Sequence, residues 1–145
     1  MEIKVKFLEN NKIKKLPLYA TTGSAGMDLY ACDDYTINPQ DVVLIKTGIA
    51  LEIPSGYELQ IRSRSGLALK NKVFVLNAPG TIDSDYRGEI GIILCNLSSE
   101  PFKINEGDRV AQGVVAKYET ANLNIVDHIG STERSEGGFG STGKK

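Results

Sequence analysis

Apolar and polar residues alternate along most of this chain. Ile3, Val5 and Phe7 alternate with Glu2, Lys4 and Lys6, and Tyr57, Leu59 and Ile61 alternate with Glu58, Gln60 and Arg62. A period of two marks a strand with one face on a core and the other in water. Further strand candidates cover residues 42–53, 73–76, 89–94, 110–118 and 123–126. Turn formers separate them: Asn38-Pro39, Pro54-Ser55-Gly56, Ala78-Pro79-Gly80 and Glu106-Gly107-Asp108. No long stretch keeps a helical period. Residues 65–70 form one short helix candidate, with Ser65 near its N-cap. Many short strands with frequent turns predict an all-β domain, a sandwich, jelly roll or distorted barrel.

From Ser131 the pattern stops. The remainder reads STERSEGGFGSTGKK, rich in glycine and serine, with Phe139 as its one large apolar residue. Such a tail is expected to be a flexible arm, and Phe139 has nothing local to pack on. The 145 residues are expected to form one domain that needs no disulfide framework. Cys32 and Cys95 lie far apart, which predicts free thiols in a reducing compartment, cytoplasmic, nuclear or organellar, in a protein that is not secreted. The first fifteen residues, MEIKVKFLENNKIKK, contain no uninterrupted apolar stretch, so neither a signal peptide nor a membrane span is expected. A formal net charge of −1 argues against generic nucleic-acid binding.

The arginines say more than the total charge. Arg62, Arg64, Arg87, Arg109 and Arg134 each lie near a glycine or a turn, and a guanidinium suits phosphate and carboxylate. Arg62-Ser63-Arg64-Ser65-Gly66 reads either as an anion site at a helix start or as an exposed capped turn. NAPGTIDSDYRGEIGII, residues 77–93, sets Asp83, Asp85, Tyr86 and Arg87 between Gly80 and Gly88 on an expected tight β-hairpin. It suits a small polar ligand, although Asp and Gly are also ordinary turn residues. Asp28 sits beside Gly26 at a strand start, and alternation puts Arg109 and Ala111 on one face, Val110 and Gln112 on the other. The tail resembles a P-loop only superficially, because no helix can follow Gly143. His128 is the single histidine, so an all-protein zinc site is not expected.

Taken together, five segments closely resemble the five motifs of the trimeric dUTP pyrophosphatase (dUTPase) family, in the family's order and spacing. They are AGMDLYA (25–31), RSRSGLA (62–68), NAPGTIDSDYRGEI (77–90), GDRVAQ (107–112) and RSEGGFGSTG (134–143). The resemblance spans about residues 23–143. It implies a β jelly roll over residues 1–130, assembled as a homotrimer with active sites between subunits. The arm, residues 131–145, would close over a neighbour's site. The implied reaction is dUTP plus water to dUMP and pyrophosphate, with Mg2+, which limits uracil incorporation into DNA and supplies dUMP for thymidylate synthesis.

By the same resemblance, Asp83 is the general base that activates water for attack on the α-phosphorus. Tyr86 packs under the deoxyribose, leaving no room for a 2′-hydroxyl. The backbone from Asn77 through Gly80, Thr81 and Ile82 to Tyr86 reads uracil. Arg64, Ser65, Gly66 and Gln112 hold phosphates, and Asp28 meets magnesium through a water. Arg134, Ser141 and Thr142 hold the γ-phosphate, Gly140 binds substrate in the same loop, and Phe139 stacks on uracil. Neither stable nucleic-acid binding nor membrane attachment is implied. Ser63 stands where many relatives carry proline, which is expected to loosen the second motif, and Ser135 stands where glycine is common. Two alternatives share the fold: a dCTP deaminase, and a trimeric β module whose site is idle. Asp83 followed by Tyr86, with the full glycine-rich arm, favours dUTPase.

Overall fold

The computed structural model describes residues 1–138, so Phe139, Gly140, Ser141 and Thr142 lie outside the described residues. Among the described residues twelve short strands form four antiparallel sheets, joined by one short helical run that ends in a π-type turn, Leu67–Asn71. The largest sheet runs β2 (Leu18–Tyr19), β3 (Met27–Tyr30), β12 (Arg109–Lys117), β7 (Tyr57–Arg62), β9 (Gly80–Ile82). A second joins β5 (Val42–Lys46), β10 (Gly91–Asn96) and β8 (Val73–Val75). Two pairs complete the set: β1 (Lys4–Phe7) with β6 (Ile49–Glu52), and β4 (Tyr35–Ile37) with β11 (Phe102–Ile104). Neighbours such as β3–β12–β7 are distant in sequence, as a jelly roll requires. The sheets enclose one core in which Leu29, Ile37, Ile45, Leu59, Ile92 and Val110 are essentially sealed from water.

Several expected elements change shape. The run 42–53 is two strands, because Thr47 and Gly48 break it. Gly48 takes φ +65°, and a Cβ there would lie 2.5 Å from the Asn11 Cβ. Asn11 is buried and its Nδ2 donates to the Thr47 and Gly48 carbonyls at 3.3 and 3.2 Å, so the corner closes around a side-chain amide. Residues 123–126 form no strand. Leu123 and Ile125 stand fully in solvent, because no sheet edge of the same chain receives that segment.

The short helix falls where it was expected, its turns running from Ser65 to Asn71. Gly66 precedes the π-type part, Leu67–Asn71, with no side-chain capping bond, and left-handed Lys72 ends it. So short a helix aligns too few peptide dipoles for an anion site to rest on its terminus.

The segment 77–93 is not a self-paired hairpin. Gly80–Ile82 pairs with β7, while Gly91–Asn96 pairs with β5 and β8. Its two limbs therefore belong to different sheets. Gly80 makes this possible, because a Cβ there would lie 3.3 Å from the Ile61 Cβ and 3.2 Å from the Asn77 Nδ2. The alternation through GDRVAQ is also interrupted. A register shift between Arg109 and Ala111 leaves Val110 and Ala111 both buried.

Candidate active site

The first group of candidate side chains lies across the middle of the large sheet. Register places Asp28, Gln112 and Arg62 side by side on β3, β12 and β7, and cross-strand partners share a face. Gly26 makes room for this row, since a Cβ there would approach the Gln112 Cβ to 3.3 Å. Asp28 is 6% exposed, and a carboxylate so buried needs charged partners. It has two. Arg109 Nη1 donates to Asp28 Oδ2 at 3.2 Å, and Arg64 Nε faces Oδ1 at 3.7 Å. Arg64 Nη1 also donates to the Arg109 carbonyl at 2.9 Å, which fixes one guanidinium against the strand that carries the other. Two guanidiniums against one carboxylate leave surplus positive charge. A cavity of about 260 Å³ opens here, lined by Arg64, Leu67, Arg109 and Val110 among others. Ser65 and Gly66 stand exposed beside it.

Two neighbours complete this half. Burial, and then the nearby Asp28 carboxylate, push the Tyr30 phenol above its usual range, against the pull of Arg109 and Arg64, so it stays neutral at physiological pH. Ser63, the departure from proline in the second motif, makes a contact of its own. Its hydroxyl accepts the Val75 N–H at 2.9 Å and ties the segment to β8.

The second group lies at the other end of β7. Asp83 follows Ile82, which pairs with Leu59, and Arg64 lies beyond Arg62 in the opposite direction. At about 3.3 Å per residue the two sit roughly 20 Å apart along the sheet. Here the turn is closed by the Tyr86 N–H on the Asp83 carbonyl at 3.2 Å, and by Arg87 Nη1 on the Ser84 and Tyr86 carbonyls at 2.7 and 3.0 Å. A cleft of about 300 Å³ is lined by Thr81, Ile82, Asp83, Tyr86, Glu89 and Ile93, with Leu44 and Gly91 behind. That size suits a small organic ligand. The Asp83 carboxylate is exposed and has no hydrogen-bond or ion-pair partner among the described residues. Tyr86 is 45% exposed, and its hydroxyl donates to the Glu89 carbonyl at 3.1 Å. Because β9 ends the sheet, one edge of Gly80–Ile82 carries unpaired backbone donors and acceptors.

The structure thus brings Asp28, Arg64 and Gln112 together, and separately gathers Thr81, Ile82, Asp83 and Tyr86; the two cavities share no lining residue. Arg134 belongs to neither group and closes its own turn, Nε donating to the Gly137 carbonyl at 2.8 Å. Ser135 has φ +43°, the region glycine enters most easily. Arg109 was not expected at the site, although GDRVAQ contained it, because only the Asp28 pairing marks it as functional. Among the described residues no cluster of three or more His, Cys, Asp or Glu could hold a metal.

A family model described as dUTPase matches residues 12–143. The chain is 52% identical over 143 residues to the deoxyuridine 5′-triphosphate nucleotidohydrolase of Helicobacter pylori strain P12, covering 99% of this chain and 97% of that protein. It is 52% identical over 148 residues to the enzyme of the same name from Orientia tsutsugamushi strain Ikeda, with both chains fully covered. Among solved structures, a mutant dUTPase of Staphylococcus bacteriophage 80alpha with dUpNHpp superposes with a TM-score of 0.88 at 27% identity, covering 98% of each chain. A mutant dUTPase from phage phi11 of S. aureus, described as coordinating a structural Mg(II) ion, gives a TM-score of 0.81 at 27% identity, covering 90% of this chain and 100% of that one.

Proposed function

The chain belongs to the dUTPase family and hydrolyses dUTP to dUMP and pyrophosphate; on that premise we propose the following division of labour among its residues. Asp83 is the general base. It takes a proton from a water as the water oxygen bonds to the α-phosphorus, the bond to the bridging oxygen breaks, and pyrophosphate leaves. What carries this assignment is the exposed Asp83 carboxylate without a partner among the described residues, at the rim of the Tyr86 cleft. A carboxylate already tied into an ion pair would be a poor proton acceptor.

Uracil is read by the open edge of β9, with Asn77 held against Gly80. Backbone donors and acceptors match uracil and mismatch cytosine, and leaving buried polar groups unpaired penalises the wrong base more than bulk does. Tyr86 lies under the sugar. Arg64, Gln112 and the Ser65 and Gly66 amides grip the phosphates, with Arg109 as a second guanidinium.

Magnesium fits this arrangement in one way. Both Asp28 oxygens already face arginines, so the protein offers no cage, but the carboxylate has lone pairs left to accept a hydrogen bond from a metal-bound water. When bound with the triphosphate, the ion neutralises phosphate charge.

A backbone offset of roughly 20 Å along the sheet puts Asp83 and Arg64 at opposite ends of β7. It supports a homotrimer in which each site takes its base-reading cleft from one subunit and its phosphate grip from another. An apolar outer sheet face with exposed Val42, Leu44 and Leu76 supports association. On this view residues 1–130 form the jelly-roll domain. Residues 131–145 form an arm that brings Arg134, Phe139, Gly140, Ser141 and Thr142 over a neighbour's site. Both cysteines are free and buried, in keeping with a reducing compartment, and among the described residues no helix is long and apolar enough to cross a membrane.

The test is pyrophosphate release from dUTP, UTP, dCTP and dTTP side by side, with and without magnesium. Rapid release from dUTP alone, enhanced by magnesium, is expected. Comparable release from UTP or dCTP would overturn the recognition scheme.

A further inference from the structure

Gly88 lies under the Tyr86 ring. A Cβ at Gly88 would overlap the Tyr86 hydroxyl and lie 2.5 Å from Cζ and 2.9 Å from Cε2. Gly88 is not in the left-handed region, so its backbone would accept an L residue, and the obstacle is the ring alone. The ring is also tethered through its hydroxyl, which donates to the Glu89 carbonyl at 3.1 Å. Glu89 is itself pinned, because Oε1 accepts the Gly48 N–H and the Asn10 amide, each at 2.8 Å. The next residue, Ile90, donates its N–H to the Ile49 carbonyl at 2.9 Å and accepts from Thr47 Oγ1 at 2.6 Å. A half-exposed tyrosine is thus seated on one glycine and latched to the body of the domain.

Resting on the reading of Tyr86 as the sugar platform, we propose that Gly88 is a positioning residue for sugar discrimination: the missing side chain at 88 sets the height of the Tyr86 ring. Because the ring is the far end of a side chain that rotates, alanine at 88 would lift the ring and break its bond to Glu89, leaving the strands in place. The displaced ring would no longer fill the space where a ribose 2′-hydroxyl would sit. The two substrates would then be distinguished less well. Discrimination by shape at a single contact runs to roughly ten- to two-hundred-fold, so the loss is of that order.

The experiment measures kcat/KM for dUTP and UTP on the full-length wild-type chain, Gly88→Ala, Tyr86→Ala and the double variant. Gly88→Ala is expected to reduce the dUTP:UTP ratio by about tenfold or more, and Tyr86→Ala at least as much. In the Tyr86→Ala background the second substitution should change the ratio less than about twofold, since no ring remains to displace. If Tyr86→Ala collapses the ratio and Gly88→Ala leaves it intact, the seat is refuted while the platform stands. If Tyr86→Ala leaves the ratio intact, the platform itself is wrong and the inference goes with it. Equal effects of alanine at 88 in both backgrounds would locate its action in the backbone and overturn the proposal. Should Gly88→Ala not fold, the double variant decides the matter. Its recovery of a wild-type melting temperature supports the ring contact, and its failure to fold overturns it.

Discussion

Asp83 leaves both carboxylate oxygens to the solvent, whereas Asp28 presents both of its oxygens to arginines. The same functional group thus sits in two environments, which suit the two tasks proposed for it, proton acceptance at Asp83 and orientation at Asp28. Asp83→Asn should lower kcat by ~10²–10⁴ while a non-hydrolysable dUTP analogue binds within a few-fold of wild type by calorimetry. Full turnover by that variant would end the general-base role. Cys32 and Cys95 are 3% and 7% exposed, and burial raises the Cys32 thiol above its usual range, with the Glu89 charge second. Neither thiol should react with a small disulfide reagent at neutral pH in the native protein, and both should react in denaturant. Fast labelling of the native chain would contradict this packing. The segment that carries Asp83 and Tyr86 stood out in the sequence because glycines bracket it, while the roles expected of the two residues came from the family resemblance. Arg109 did not stand out, since a register shift beside it hides which way its side chain faces.

Short strands make the corners between them decisive. Gly48 and Gly56 both have positive φ, +65° and +84°, yet a Cβ at Gly48 would strike Asn11 and one at Gly56 meets nothing within 4 Å. Alanine at 56 should cost about 1 kcal/mol, the left-handed backbone penalty. Alanine at 48 should cost roughly 2–4 kcal/mol in denaturant unfolding, since the Asn11 amide must also leave its buried partners. Equal losses would mean that the Asn11 plug contributes nothing. The break of 42–53 at this corner could be suspected from one glycine, but its necessity depends on Asn11, more than thirty positions earlier. The run 123–126 shows the opposite failure. Its alternation is that of a strand, but a strand needs an edge to pair with, and the sequence does not say which edge is free.

At the scale of the molecule, the proposed sharing of sites between subunits makes a clear demand. Asp83→Asn and Arg64→Ala should each be nearly inactive alone, yet partial activity should return when the two are unfolded, mixed and refolded together, because some sites then combine an intact Asp83 with an intact Arg64. Absence of any recovery, with mixed oligomers verified, would place both residues of a site on one chain. Removing residues 131–145 should leave the oligomer folded by circular dichroism and size-exclusion chromatography while crippling turnover, because the strands end at Lys117. Burial also raises Tyr30 and Tyr35, as it does Cys32. The folded state therefore keeps protons that the unfolded chain releases. Stability should be complete below the ordinary thiol and phenol ranges and decline as pH rises through them, as melting temperatures across alkaline buffers would show. The open edge of β9 carries one last consequence. The edge proposed to read the base through its backbone is also a place where a foreign strand could add, and a three-residue length limits that hazard. With a nucleotide seated there, the amides facing it would exchange hydrogen more slowly with solvent. Ligand binding would then act as a missing final strand, guarding the fold against self-association as well as delivering the substrate.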